Sequence, residues 1–354
     1  MIFFVAPAEG LFGMREFLEI QGHPFVDHIR LLTYEEIAIR RQLPLGTYIF
    51  AAIDQISPTE REITALCWRE LYRGSSEIAL INHPYHVLCR YELLETCFQL
   101  KRNSFRVFRA SDFTRCRSFP VFVRVEREHT GSLSGLLYSK RALLRALAKA
   151  LLQGYRLRDL MIVEYCDTAD SSGVFQKYSA FIVGDRIVPN SIVHSRNWVT
   201  KWDGRLENPD LVRKEVEYVE NNPHADWLRE TFAIAKIGYG RIDYGVKDSV
   251  PQVWEINTNP TIGWRLGDID PVQEQQRKLR APVRERFLRG FLNAFAAVDS
   301  PVDPAQTISF DVSGSHLRKL ETEKTLSLRV RKRRRAFSWA TGLPIRLLRG
   351  LRVS

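Results

Sequence analysis

Cysteine is scarce and scattered. The five (Cys67, Cys89, Cys97, Cys116 and Cys166) in 354 residues are odd in number and show no C-x-x-C spacing, which argues against a disulfide framework and against a zinc site. Most of them read as small core residues. No stretch approaches the roughly eighteen uncharged apolar residues of a membrane span, and the opening MIFFVAP is short and lacks a basic start. The expectation is therefore a cytoplasmic protein with neither a transmembrane helix nor a signal peptide. A dinucleotide-type glycine fingerprint is also missing from the first hundred or so residues.

Acidic charge is scarce towards the end of the chain. The formal net charge is +11, yet the segment from Arg318 to Ser354 alone holds twelve Lys or Arg and two Glu, a net of +10. Summed over its length, the rest of the chain is almost neutral. Binding to a polyanion is accordingly expected of the tail rather than of the globular part.

What is present first is an alternation of short apolar runs and amphipathic helices. Met1 to Pro7, Tyr48 to Ala52 and Glu77 to Asn82 read as strands, with helices over Gly13 to Ile20 and Thr59 to Tyr72. That pattern predicts a small parallel α/β domain. A helix over Arg90 to Lys101 follows, then strands over Phe105 to Ala110 and Phe119 to Val125, and a Gly- and Ser-rich loop from Glu128 to Gly135 that includes His129. Ser139 is a candidate N-cap for a helix that Gly154 ends. Met161 to Tyr165 is a further strand, and Phe175 to Val183 with Arg186 to Val193 is a hairpin turning at Gly184 and Asp185. The segment HSRNWVTKWDG packs His194, Arg196, Trp198, Lys201 and Trp202 into nine positions, a composition equally suited to clamping a substrate and to a basic surface loop. Two helices, Asn208 to Asn222 and Ala225 to Ile237, precede RIDYGVKDSVPQVWEINTNPTIG, and a long amphipathic helix from Gln273 to Ala296 follows it.

That 23-residue stretch, Arg241 to Gly263, organises the chain. Polar and apolar side chains alternate over Arg241 to Val246 and over Val250 to Ile256, and Lys247, Asp248 and Ser249 between them are turn formers, so the spacing predicts a hairpin. Glu255 and Asn257 share one face, and Asp243 reaches it from the partner strand. Two carboxylates and an amide oxygen are hard ligands suited to Mg²⁺ or Mn²⁺ beside nucleotide phosphates.

D-x(11)-E-x-N-T-N-P closing a hairpin resembles the metal-binding end of the ATP-grasp superfamily, most of all D-alanine:D-alanine ligases and related carboxylate–amine ligases. The resemblance implies an α/β (α+β) architecture: an N-terminal α/β domain over 1–103, then an ATP-grasp domain over 104–299 whose two α+β subdomains (about 104–185 and 186–299) clamp ATP, then a basic tail over 300–354. It also implies site residues. Asp243, Glu255 and Asn257 would hold the metal, and Arg241 would steady the carboxylate and the oxyanion. Lys177 would face the phosphates, and Arg124 would stand where the family commonly has a phosphate-binding Lys. Glu164 would take the adenine amino group, with Asp167 or Asp170 on the ribose. The implied activity is ATP-dependent ligation, in which a substrate carboxylate becomes an acyl phosphate and an amine displaces phosphate. An ATP-grasp phosphotransferase and an ATP-binding adaptor are the alternatives. For the tail, a solvated extension, an anionic membrane surface and a polyanion all fit a sequence in which Phe337, Trp339, Leu347, Leu348 and Leu351 interleave with Arg346, Arg349 and Arg352.

Overall fold

The computed structural model describes residues 1–128, 131–201, 204–262, 274–275 and 278–326. The chain forms two compact units, one from Met1–Leu88 with Asp167–Ser313 and one from Cys89–Cys166 with the segment beginning at Gly314. His129, Trp202, Gln273 and the cluster Arg329 to Arg335 lie outside the described residues.

The first unit begins with β1 (Ile2–Ala6), whose five residues IFFVA are all buried, as befits a central strand covered on both faces. Helix α1 (Leu11–Ile20) returns the chain to β2 (Ile29–Thr33), and α2 (Tyr34–Ile39) starts on a capping box. There Thr33 Oγ1 accepts from the Glu36 backbone N–H at 3.0 Å and Glu36 accepts from the Thr33 N–H at 2.6 Å. A short β3 (Gln42–Pro44) and β4 (Thr47–Phe50) follow. Helix α3 (Pro58–Gly74) opens on a second box, Ser57 with Glu60, and carries Pro58 in its first turn. With β5 (Leu80–Ile81) the sheet has the order β2-β1-β4-β5, all parallel. The predicted parallel α/β arrangement is present, and its segment Met1–Leu88 forms one unit with Asp167–Ser313.

The second unit opens with α4 (Arg90–Gln99), followed by β6 (Val107–Arg109) and β7 (Val121–Val125). Helix α5 (Lys140–Leu152) is capped by Ser139, which accepts from the Ala142 N–H at 3.2 Å, and the chain leaves it through Gly154 at φ +83°. Strand β8 (Leu160–Glu164) lies between β6 and β7, antiparallel to both. Val121, Val123, Val125, Leu160 and Ile162 pack on Leu143 and Leu147 of α5 to form this unit's core.

Returning to the first unit, β9 (Phe175–Val183) and β10 (Arg186–Ser195) are an antiparallel hairpin turning through Gly184 at φ +65°. A β-carbon at Gly184 would fall 2.5 Å from Val298, so the turn leaves no space for one. Helices α6 (Pro209–Asn221) and α7 (Ala225–Ala235) each end on a left-handed residue, Asn222 and Lys236. Strands β11 (Tyr239–Lys247) and β12 (Val250–Asn257) form the predicted hairpin, and the sheet order is β10-β9-β11-β12. Asp248 and Ser249 both have positive φ, the conformation whose twist matches paired strands. Helix α8 (Ala281–Val298) lays Phe287, Phe291 and Phe295 on Phe181, Val183 and Tyr239. On the sheet's other face Tyr178 stacks on Tyr244 at 5.3 Å between centroids, with Tyr218 and His224 edge-on.

These pairings move the boundaries expected from sequence. A border at 185/186 would cut the β9–β10 hairpin, and the pairing of β9 with β11 holds both strands in the first unit. The expected tail likewise begins later than residue 300. Strand β13 (Thr307–Ser309) pairs antiparallel with β3, Phe310 and Val312 are buried, and residues 314–326 are helical.

Candidate functional site

Pairing on the β9–β11–β12 ribbon decides which polar side chains meet. Asp243 stands directly opposite Glu255, and Arg241 directly opposite Asn257. Opposed residues share a face, so all four project from one side of the sheet. Next to Asp243 the register shifts, β12 supplying one extra residue against Tyr244. Tyr244, next along β11, points into the aromatic cluster on the far face by ordinary alternation. On the other flank Asp243 pairs with Ser179, two residues from Lys177 on the same face.

The result is a charge cluster around a carboxylate that is 4% exposed. Arg241 donates to Asp243 through Nε to Oδ1 at 2.8 Å and through Nη2 to Oδ2 at 3.3 Å, a forked pair. Lys177 Nζ donates to the same Oδ2 at 3.1 Å. Burial alone would push the Asp243 carboxyl up, but the Arg241 and Lys177 charges outweigh it and hold the group below its ordinary range. Burial likewise works against the Arg241 charge, and the Asp243 carboxylate more than restores it, with Glu255 adding to the effect. Two carboxylates and two cations thus sit together with their charges balanced.

The strand end is fastened to the first sheet of the same unit. Asn257 Oδ1 accepts from the Asn259 N–H at 2.8 Å, and Asn259 Nδ2 donates to the Gly10 carbonyl at 3.1 Å. Thr258 Oγ1 accepts from the Ile53 N–H at 3.2 Å and bonds Asp54 at 3.3 Å. A β-carbon at Gly10 would fall 2.7 Å from Asn259 Nδ2, so glycine permits this approach. Gly10 and Ile53 follow β1 and β4, the adjacent strands from which the chain departs in opposite directions across the sheet. The carboxyl ends of such strands are where open α/β sheets receive ligands.

Lys177, Arg241, Asp243, Glu255 and Asn257 are therefore brought together. Asp167, in the same unit, is exposed and accepts from the Ala169 N–H at 3.1 Å, capping its own loop. Asp170 is engaged more fully: its Oδ1 takes Ser172 Oγ at 2.6 Å and the Ser172 and Val174 N–H groups at 2.9 and 3.0 Å. The Ser172 hydroxyl first, and then those N–H groups, lower its pKa, so Asp170 serves the turn. His194, grouped by sequence with a clamp segment, is a buried residue of β10. Burial, then the charges of Lys214 and Arg280, lower its pKa.

Arg124 and Glu164 belong to the second unit. Arg124 pairs with Met161 and Glu164 with Val121, so the alternation puts them on opposite faces of the three-stranded sheet. Glu164 Oε2 already accepts from the Arg106 N–H at 2.8 Å, which closes the β6–β8 edge. Sequence gave no notice of Arg90. It is buried in this unit and donates to the carbonyls of Val125, Glu126 and Glu128 at 3.2, 2.6 and 2.9 Å, holding the base of the Gly- and Ser-rich loop. An Arg at the start of an otherwise amphipathic helix was its only signal.

A second buried set braces the four-stranded sheet. Arg280 pairs with Glu215 of α6, both almost wholly buried, and with Glu207 at 3.4 Å, while Arg205 pairs with Glu207 at 2.6 Å. Glu215 also accepts from the Ile192 N–H of β10 at 3.2 Å. Burial pushes Glu215 up to about 7, with Arg280 opposing that rise.

No family model and no curated protein matches the chain. Among solved structures it is similar to D-alanine–D-alanine ligase from Bacillus anthracis, at 12% identity over 84% of this chain and 99% of that one, with a TM-score of 0.43. It is also similar to a RimK domain ATP-grasp protein from Sphaerobacter thermophilus (12% identity, 82% of this chain and 98% of that one, TM-score 0.43). A third is D-alanine–D-alanine ligase from Helicobacter pylori (10% identity, 83% and 98%, TM-score 0.44). These likenesses are distant, and what the site can do follows from the register and hydrogen bonds on its own ribbon.

Proposed function

We propose that the protein is an ATP-dependent ligase of the ATP-grasp type, activating a carboxylate for attack by an amine. The observation that carries this reading is the opposed set Asp243–Glu255 and Arg241–Asn257 with Lys177 beside it. The donor set was weighed for Mg²⁺ or Mn²⁺. Among the described residues no group of three or more His, Cys, Asp or Glu side chains forms a metal centre, and here the third donor is the amide of Asn257. All three are oxygen donors, as hard cations require. Asp243 already accepts three hydrogen bonds, leaving about one of a carboxylate's four or so lone-pair sites. Glu255 and Asn257 are the main ligands in this proposal, and Asp243 joins them while ordering Arg241 and Lys177. A metal ion held there neutralises phosphate oxygens.

The chain's own groups do the rest. Lys177 offers its ammonium to the transferring phosphoryl group, whose charge lies on oxygens the site must screen. The substrate carboxylate oxygen attacks the γ-phosphorus, the bond from that phosphorus to the bridging oxygen breaks, and ADP leaves. An amine nitrogen then adds to the acyl carbon and loses a proton, and the carbon–oxygen bond breaks to release phosphate. Arg241, held by its fork on Asp243, steadies the oxyanion between those steps. The acceptor is placed outside the carboxyl ends of β1 and β4, where the loops at Gly10 and Ile53 meet Asn259 and Thr258. Arg124 for a phosphate and Asp167 for the ribose stay in the proposal as residue assignments.

The test is phosphate release from ATP against a panel of amino acids and short peptides with amines. Release that needs both partners, with a new amide in the products, supports the ligase. A stable phosphorylated product without free phosphate would contradict it and make the protein a kinase. No ATP turnover with any acceptor, together with nucleotide binding, would contradict it in favour of an adaptor.

A further inference from the structure

The near-neutral globular body conceals two opposite charges. Met1–Leu88 with Asp167–Ser313 carries 25 Lys and Arg against 32 Asp and Glu, a net of −7, whereas Cys89–Cys166 carries 15 against 7, a net of +8. Most acids of that basic segment are spent internally. Glu126 pairs with Arg109, Asp159 with Arg156, Glu164 with the Arg106 N–H, and Glu92 with the Cys89 N–H. The excess cations are left facing outward.

They concentrate on α5. Arg141, Arg145 and Lys149 recur at i, i+4 and i+8 and are all exposed. Beside them Leu144, Ala148, Leu151 and Leu152 form a second exposed row, Leu152 being 71% accessible, and Tyr138 stands equally exposed just before the helix. The helix contains no acid, and its first turn holds Lys140 and Arg141 where the macrodipole favours negative charge. Like charges at i, i+4 also oppose one another. Two electrostatic preferences of an isolated helix are thus broken on the one face that also exposes leucines. An external anionic partner relieves both.

We propose that this face of α5 docks the protein onto an anionic lipid surface. A cationic row flanked by exposed leucines matches a bilayer interface, where phosphate headgroups take the charge and the acyl boundary takes the side chains. A nucleic acid or other hydrophilic polyanion would use the arginines and leave the leucines in water. The inference stands on the second unit alone and is independent of the proposed ligase chemistry.

Sedimentation of the full chain with vesicles of phosphatidylcholine containing phosphatidylglycerol, and with phosphatidylcholine alone, tests it. The wild type is expected to bind only the anionic vesicles. Arg141→Gln with Arg145→Gln and Lys149→Gln should weaken binding by about a hundredfold, and Leu144→Ser with Leu151→Ser and Leu152→Ser by about tenfold. Every altered side chain is exposed, so thermal melts should be unchanged and turnover retained. Both variants keep the basic tail. Vesicle binding that survives both would assign any membrane contact to the tail and overturn the proposal. Loss with the glutamines but not with the serines, alongside equal loss of heparin binding, would overturn it in favour of a polyanion. Failure of the wild type to bind anionic vesicles would overturn it outright.

Discussion

The two units handle charge differently. In the first, acids and bases are drawn inside in pairs: Asp243 between Arg241 and Lys177, and Glu215 against Arg280. In the second, Arg109 meets the buried Glu126, Arg90 donates to backbone carbonyls, and most of the other Lys and Arg side chains of Cys89–Cys166 are exposed. A buried pair is costly to assemble and costly to break, so it persists where a sheet needs a fixed charge. An exposed row costs little and remains available to partners. On the two proposals above, the first unit carries chemistry and the second recognition.

The largest effect should come from breaking a pair at the hairpin. Arg241→Met is expected to lower kcat on the order of 10²–10³-fold in a phosphate-release assay while the far-ultraviolet circular dichroism stays native. Arg124→Ala, in the second unit, should mainly raise the KM for ATP, by about tenfold; an equal loss of kcat from both would erase the contrast between the units. Next in size is stability. Glu215→Ala leaves Arg280 buried with less compensation and should cost about 3–5 kcal/mol in urea unfolding.

Arg90→Met sharpens the other side. Its partners are neutral carbonyls rather than a buried carboxylate, so the expected loss is smaller, about 2 kcal/mol, with faster proteolysis around residues 125–128 as its local sign. A further effect is on pH. Glu215 has a folded pKa of about 7, raised above its ordinary 4.5 chiefly by burial. Its favourable contribution is therefore complete below about pH 4.5 and is lost as pH rises through 7. Melting temperatures followed from pH 4.5 to 8 should show that decline, and Glu215→Gln should flatten it.

Much of this was legible in the sequence because it is local. The β11–β12 hairpin announced itself by period-two alternation around Asp248 and Ser249, and the α5 cap by Ser139. The Thr33–Glu36 and Ser57–Glu60 boxes were present in the sequence too, although β2 and α2 were not read from it. What sequence could not supply is set by distant partners. Whether β9 belongs with β8 or with β11 depends on pairing across some sixty residues, and nothing local marks Glu215 and Arg280, 65 positions apart, as a pair. The same limit explains Glu164, whose place as adenine acceptor is contested by the Arg106 N–H from another strand. It also explains the charge of the body, where a sum near zero hid one acidic and one basic unit.

The central claim is that the β11–β12 ribbon is a nucleotide and metal site. Calorimetric titration of a non-hydrolysable ATP analogue, with and without Mg²⁺, into the wild type and Glu255→Gln addresses it most directly. The account predicts binding that requires Mg²⁺ in the wild type and weakens at least tenfold in Glu255→Gln with an unchanged melting curve. Binding of equal strength in both proteins, or none under any metal condition, would contradict it.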